Sequence, residues 1–81
     1  MIEEVAFKRI DLRLAQKLLQ LAEPSGQIHR THYQLATELG SAREVISRQL
    51  HEFQRRGWIT VSRGEVHLTD RPALQAFSGT S

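Results

Sequence analysis

Apolar side chains step through residues 5–23 by threes and fours: Phe7, Ile10, Leu14, Leu18 and Leu21. That spacing is the helical period and predicts one long amphipathic helix. Ala15, Leu19 and Ala22 widen the stripe, while Lys8, Arg9, Asp11, Arg13 and Lys17 fill much of the other side. Pro24-Ser25-Gly26 ends it, because proline has no amide hydrogen to give and all three residues favour turns. Residues 1–4 are expected to be a frayed start. A stripe of this kind also suits a membrane surface, but a small domain needs the buried area, so a core helix is expected.

Residues 27–30 form a short β-compatible run with Ile28 as the inward residue. Residues 31–57 then read as two short helices separated by a glycine. Thr31 followed by Gln34 is a capping-box pattern, in which each side chain satisfies a backbone N–H that the helix start leaves unpaired. Leu35, Ala36 and Leu39 give one apolar stripe, and Gly40 supplies the left-handed conformation that turns the chain. A second capping box, Ser41 to Glu44, is expected to open a helix over about residues 41–56. Within it Ile46, Leu50 and Phe53 recur at i, i+4 and i+7 and must face a core. Glu44, Ser47, Arg48, His51 and Arg55 line up on the opposite side.

Residues 58–62 and 66–69 are β-branched and aromatic, with Ile59, Val61, Val66 and Leu68 alternating with polar residues around a turn at Arg63-Gly64-Glu65. This predicts a hairpin with one face packed inward. Asp70-Arg71-Pro72 resembles a helix start, with proline in the first turn and Leu74 and Phe77 closing over the core. Residues 78–81 are expected to be a disordered tail. The expected fold is therefore mainly α with a small β-hairpin wing, a winged helix–turn–helix forming one domain over residues 1–81.

Charge sharpens this picture by where it lies. Residues 1–26 carry four basic and four acidic side chains and residues 58–81 two of each, whereas residues 27–57 carry five arginines and three glutamates. The net charge of +2 therefore resides on the two-helix stretch, which is a weak nucleic-acid signal. The absence of cysteine removes disulfides and thiolate metal sites and fits a reducing cytoplasm. No membrane-spanning run and no signal peptide are expected, since Glu3 and Glu4 stand where a signal peptide needs positive charge.

The second short helix carries the chemistry. Arg43, Glu44, Ser47 and Arg48 lie near its N-terminus, the part that a helix–turn–helix presses against base edges. Arginine can bond guanine O6 and N7 bidentately, and glutamate can accept from cytosine N4. Glu44 could instead serve only the capping box, Arg48 only an exposed ion pair, and Ser47 only to let DNA approach. Arg55 and Arg56 suit the helix dipole at its C-terminal end. The wing tip at Arg63 offers a phosphate contact. His29, His32, His51 and His67 lack carboxylates at a ligand spacing, so no metal site is expected. Trp58 is expected in the core. No nucleophile–base pairing, phosphate loop or paired carboxylates occur, so neither catalytic activity nor a cofactor is expected.

Leu35-Ala36-x-x-Leu39-Gly40, Arg43-Glu44-x-x-Ser47-Arg48-x-Leu50 and Gly57-x-Ile59 together resemble the C-terminal DNA-binding domain of the Crp/Fnr family of bacterial transcription regulators. The resemblance covers nearly the whole chain, and the E-x-x-S-R spacing is its more specific part. It implies dimers on inverted-repeat duplex DNA with TGA-like half-sites, with RNA polymerase as a candidate partner. It also implies base reading by Glu44 and Arg48, with Arg43 and Ser47 on bases or phosphates, and backbone positions at Thr31, His32 and Arg63. Ala42 stands where the family usually has Ser or Thr, so that phosphate contact is lost unless Ser41 replaces it. The family's β-roll sensor and long dimer helix have no counterpart in these residues, so the chain is expected to be an excised output domain. A winged helix used only between proteins, or a regulator of another winged-helix family, are the alternatives. The first would want exposed Leu, Met or Phe on the recognition face, and the second would not share the E-x-x-S-R pattern.

Overall fold

A computed structural model describes residues 2–79, with side chains from residue 10 onward. The elements run α1 (Ile2–Leu21), β1 (Gln27–Ile28), α2 (His32–Leu39), α3 (Arg43–Arg55), β2 (Ile59–Ser62), β3 (Glu65–Leu68) and α4 (Arg71–Ser78). The described residues thus form four helices and one three-stranded antiparallel sheet of order β1-β3-β2.

The stripe of α1 packs as its period demands, with Leu14, Ala15 and Leu18 fully buried. Helix α1 ends at Leu21 rather than at residue 23, and Glu23 N–H is taken instead by the Gln27 carbonyl in the turn that follows. The side chain of Phe7, and residue 1 of the expected frayed start, lie outside the described residues; residues 2–4 belong to α1. The core is completed by Ile28, the α2 stripe, Ile46, Leu50 and Phe53 of α3, Ile59, Val66 and Leu68 of the sheet, and Leu74 of α4. Trp58 packs here too, its ring 5.6 Å from Phe53 and 5.1 Å from Phe77.

The expected capping box of α2 forms in full. Thr31 Oγ1 accepts from Gln34 N–H at 3.0 Å, and Gln34 Oε1 accepts from Thr31 N–H at 2.9 Å. At the other end Gly40 is left-handed, with φ of 67°. Gly40 N–H then reaches the Thr37 carbonyl and Ser41 N–H the Ala36 carbonyl, a Schellman closure. This closure corrects the second capping box. Because Ser41 is committed to ending α2, α3 starts one residue later, with extended Ala42 as its N-cap and no side-chain cap at all. The Ala42 carbonyl accepts from Val45 and Ile46 N–H, so Ser41 and Glu44 do not cap one another.

Ile28 points inward as expected, but its strand also joins the hairpin, pairing Ile28 with Val66 and Gln27 with His67. Gly26 makes this possible. It has φ of 93°, its carbonyl accepts from Leu68 N–H at 2.8 Å, and an added Cβ would sit 3.0 Å from the Leu68 carbonyl oxygen. Only a residue without a side chain fits there. The hairpin pairs Ile59 with Leu68 and Val61 with Val66, leaving Arg63 and Gly64 at its tip.

Helix α4 starts as expected, with Asp70 Oδ1 accepting from Ala73 N–H. It runs one residue into the segment read as a tail. Ser78 is buried, its Oγ donates to the Gln75 carbonyl, and its own carbonyl accepts from Gln16 of α1. A small side chain one turn beyond Leu74 lets α4 lie against α1. Residues 80–81 of the expected tail lie outside the described residues.

Candidate nucleic-acid interface

Burying Ile46, Leu50 and Phe53 leaves the opposite side of α3 to solvent, where Glu44, Arg48, His51 and Arg55 are all exposed, and Arg43 is exposed in the first turn. What these side chains touch divides the arginines into two groups. Arg13 Nη2 donates to the Leu39 carbonyl at 2.9 Å, and Arg71 Nη2 to the Glu23 carbonyl at 2.9 Å. Arg30 Nε lies 2.8 Å from Glu38, Arg56 Nε 3.2 Å from Glu52, and Arg55 3.7 Å from the same Glu52. Arg56 also stacks over the Trp58 ring at 5.2 Å. Arg43, Arg48 and Arg63 have no ion pair or hydrogen bond among the described residues.

Glu44 is unpaired in the same way, although it precedes Arg48 by the i,i+4 spacing that favours a helical ion pair. In water such a pair contributes only about 0.3–0.5 kcal/mol, so leaving it open costs the fold little. It keeps the five guanidinium donors of Arg48 and the acceptor oxygens of Glu44 available to something else. The uncapped start of α3 adds exposed backbone N–H groups and the positive end of the helix dipole beside Arg43. Ser41 is half-buried just before this end, and its hydroxyl has no partner among the described residues. The start of α2, with Thr31 exposed and His32 half-buried, supplies a second helix N-terminus. Arg63 is exposed at the hairpin tip.

Two further contacts across elements also had no counterpart in the sequence pattern. Ser47 Oγ lies 2.8 Å from His32 Nδ1, joining α3 to the first residue of α2. Burial of the His32 ring, and then the nearby positive charge of Arg43, hold its pKa below the usual imidazole value. Gln54 Oε1 accepts from Val61 N–H at 2.7 Å. Strand β2 is an edge of the sheet, and this bond occupies an outward amide while fixing the wing to α3. Between them, His32, Ser47, Leu50, His51, Gln54 and Val61 line a cleft of about 190 Å³. Neither contact has a local sequence signal, since residues 15 and 7 positions apart meet only through the fold.

Elsewhere, His29 lies 3.7 Å from Glu23 and 3.5 Å from Glu65, but on different ring nitrogens that diverge. Among the described residues no group of three or more His, Asp or Glu converges as a metal site. No described helix is long and apolar enough to cross a membrane.

Comparison with known proteins agrees with this geometry. The Crp-like helix-turn-helix domain matches residues 12–77. The chain is 33% identical over 85 residues to the transcriptional regulator SdrP of Thermus thermophilus, which covers 95% of this chain and 42% of that protein. A putative Crp/Fnr-family transcriptional regulator from Eubacterium rectale superposes with a TM-score of 0.84 at 36% identity, covering 96% of this chain and 37% of the other. A Crp/Fnr-family regulator from Thermus thermophilus superposes with a TM-score of 0.81 at 31% identity, covering 96% of this chain and 44% of the other. The chain spans less than half the length of each of these relatives.

Proposed function

Because the chain belongs to the Crp-like helix-turn-helix family of transcription regulators, we propose that it binds duplex DNA sequence-specifically by laying α3 in the major groove. The observation that carries this reading is the pair Glu44 and Arg48, exposed one turn apart on α3 and left unpartnered while five other arginines are engaged. Arg48 suits a guanine O6/N7 edge and Glu44 a cytosine N4 amine. Arg43 and Ser47 complete the base-reading set. Thr31, His32, Ser41, Arg63 and the two helix N-termini hold phosphates and fix the register.

We read the chain as the output domain of a longer protein that pairs two copies on an inverted repeat with TGA-like half-sites. The paired recognition helices then lie about 34 Å apart, one turn of the duplex. RNA polymerase is a further partner of such a regulator. The alternative of a protein–protein module has less support. Among the described residues the exposed large apolar side chains are Leu12 and Tyr33, and neither is on α3.

Selection of bound duplexes from a random pool tests the assignment. The wild-type chain is expected to enrich a defined half-site, and Arg48→Ala to lose preference at one base pair of it. An Arg48→Ala protein that enriches the wild-type motif unchanged overturns the assignment of base reading to this face.

A further inference from the structure

A serine hydroxyl both donates and accepts, so serine alone does not discriminate between base edges. At Ser47 a neighbour removes the ambiguity, because Oγ lies 2.8 Å from His32 Nδ1. From this contact we propose that His32 is a specificity-positioning residue, whose ring decides whether Ser47 offers the DNA an acceptor or a donor. The inference rests on the reading of α3 as the groove helix and fixes the chemistry of one of its contacts.

The logic follows from counting protons. In the neutral ring with its proton on Nε2, Nδ1 is bare and can only accept. The Ser47 O–H therefore points at His32, and the remaining lone pairs of Oγ face outward. An outward acceptor suits the amine of adenine or cytosine. In the doubly protonated ring Nδ1–H donates to Oγ, the serine proton swings outward, and Ser47 becomes a donor suited to the carbonyl of guanine or thymine. Burial of the ring and the positive charge of Arg43 both favour the neutral form at neutral pH. Among the residues lining the cleft with His32 and Ser47, His51 is the other titratable group, and Leu50, Gln54 and Val61 carry no charge. With its proton on Nε2, the neutral ring leaves Ser47 an outward acceptor, and the bases enriched opposite it at neutral pH are then adenine or cytosine.

This role is separable from a simple phosphate contact. A histidine that only met a phosphate would strengthen binding to all sequences alike on protonation. A histidine that orients Ser47 changes preference at one base pair. Selection of the chain from a pool of duplexes with randomised inverted half-sites, at about pH 8 and about pH 4.5, the lower value set well below the ordinary imidazole value because the His32 pKa is itself lowered, distinguishes the two. The wild type is expected to shift by roughly three- to tenfold at one position, as gain or loss of one hydrogen bond implies, from amine-bearing toward carbonyl-bearing bases on the contacted strand. His51→Gln is expected to shift likewise. His32→Asn, whose side-chain oxygen accepts without titrating, should hold the acceptor preference at both pH values, and His32→Phe should lose it. Thermal unfolding of each variant establishes that it is folded.

No shift at any one position beyond a change uniform across all sequences, a shift that persists in His32→Asn, or one abolished by His51→Gln overturns the proposal. If Ser47→Ala alters the selected motif while His32→Asn and His32→Phe both match wild type at each pH, only the role of His32 falls. If Ser47→Ala leaves every position unchanged, Ser47 reads no base, and the groove reading itself fails at that residue.

Discussion

Replacing Arg48 by alanine should leave the fold intact and impair recognition, whereas Arg13→Ala should do the reverse. Arg48 is exposed and has no hydrogen bond or ion pair among the described residues. Alanine is also the better helix former. The stability change for Arg48→Ala is therefore expected within about 0.5 kcal/mol, a shift in Tm of less than about 4 °C for a domain of this size. If Arg48 reads a base, its loss costs about 1–3 kcal/mol of binding, roughly 5- to 150-fold in Kd. Arg13 is the structural counterpart. Its Nη2 donates at 2.9 Å to the carbonyl of Leu39, the last residue of α2, a group the helix cannot satisfy itself. A hydrogen bond to a charged donor is worth about 1.5–3 kcal/mol. Partial exposure lets water replace some of this, so Arg13→Ala should cost about 1–1.5 kcal/mol and lower Tm by about 4–12 °C. Thermal unfolding followed by circular dichroism, and anisotropy titration of a selected duplex at one fixed salt concentration, measure the two effects separately. Equal loss of stability in both variants would make Arg48 a structural residue and refute the division of the arginines.

Three further outcomes are expected. Gly26→Ala should destabilise by about 2 kcal/mol or more, because its Cβ meets the Leu68 carbonyl oxygen at 3.0 Å as well as a left-handed backbone; Gly40→Ala, with nothing within 4 Å, should cost only the conformational strain of about 1 kcal/mol, and chemical denaturation compares them. Arg63→Ala should weaken binding to all duplexes alike and flatten the logarithmic salt dependence by about one unit; an altered motif would place Arg63 at a base. The lowered pKa of His32 means that the unfolded chain binds more protons below the ordinary imidazole value of about 6.5. The His32 contribution to stability is thus complete above that value and is lost as pH falls through the lowered folded pKa. Unfolding free energy, measured as wild type minus His32→Asn, should decline over that window, and a difference that is flat or rises on acidification contradicts the shift.

The helical periods of α1, α2 and α3 were legible because each is a local pattern enforced by one core. Leu14 and Leu18, or Ile46 and Leu50, announce their burial by spacing alone. Failures occurred where one residue served two signals or where partners were distant in sequence. Ser41 matches a capping box, but the Schellman closure of α2 takes its N–H first, and α3 starts on Ala42. Ile28 was recognisable as inward, yet a two-residue strand contains nothing that names Val66 as its partner. The charge excess over residues 27–57 also left open which of its members stay unpaired. Arg30 pairs with Glu38, and Arg55 and Arg56 share Glu52, while Arg63, outside that stretch, has no partner among the described residues. Pairing depends on which side chains meet, and composition does not contain that information.

Apart from the Ser47–His32 contact, several bonds that hold the elements together lie away from the Arg48 side of α3. Arg13 ties α1 to α2, Gln54 ties α3 to the wing, Gly26 ties the strand edge to β3, and Arg71 ties α4 to the turn after α1. If the chain binds DNA as proposed, a helix and wing fixed in this way need no backbone rearrangement to meet it. The ordering cost of binding then falls on long side chains such as Arg43, Arg48 and Arg63, about 0.5–1.5 kcal/mol each. One copy offers few such contacts, so tightening must come mainly from valence, because a second linked copy binds its half-site at high effective concentration. A tether that sets two copies about 34 Å apart should therefore raise affinity on an inverted repeat far more than on a single half-site. Equal gains on both duplexes would mean that the copies do not read the DNA as a pair.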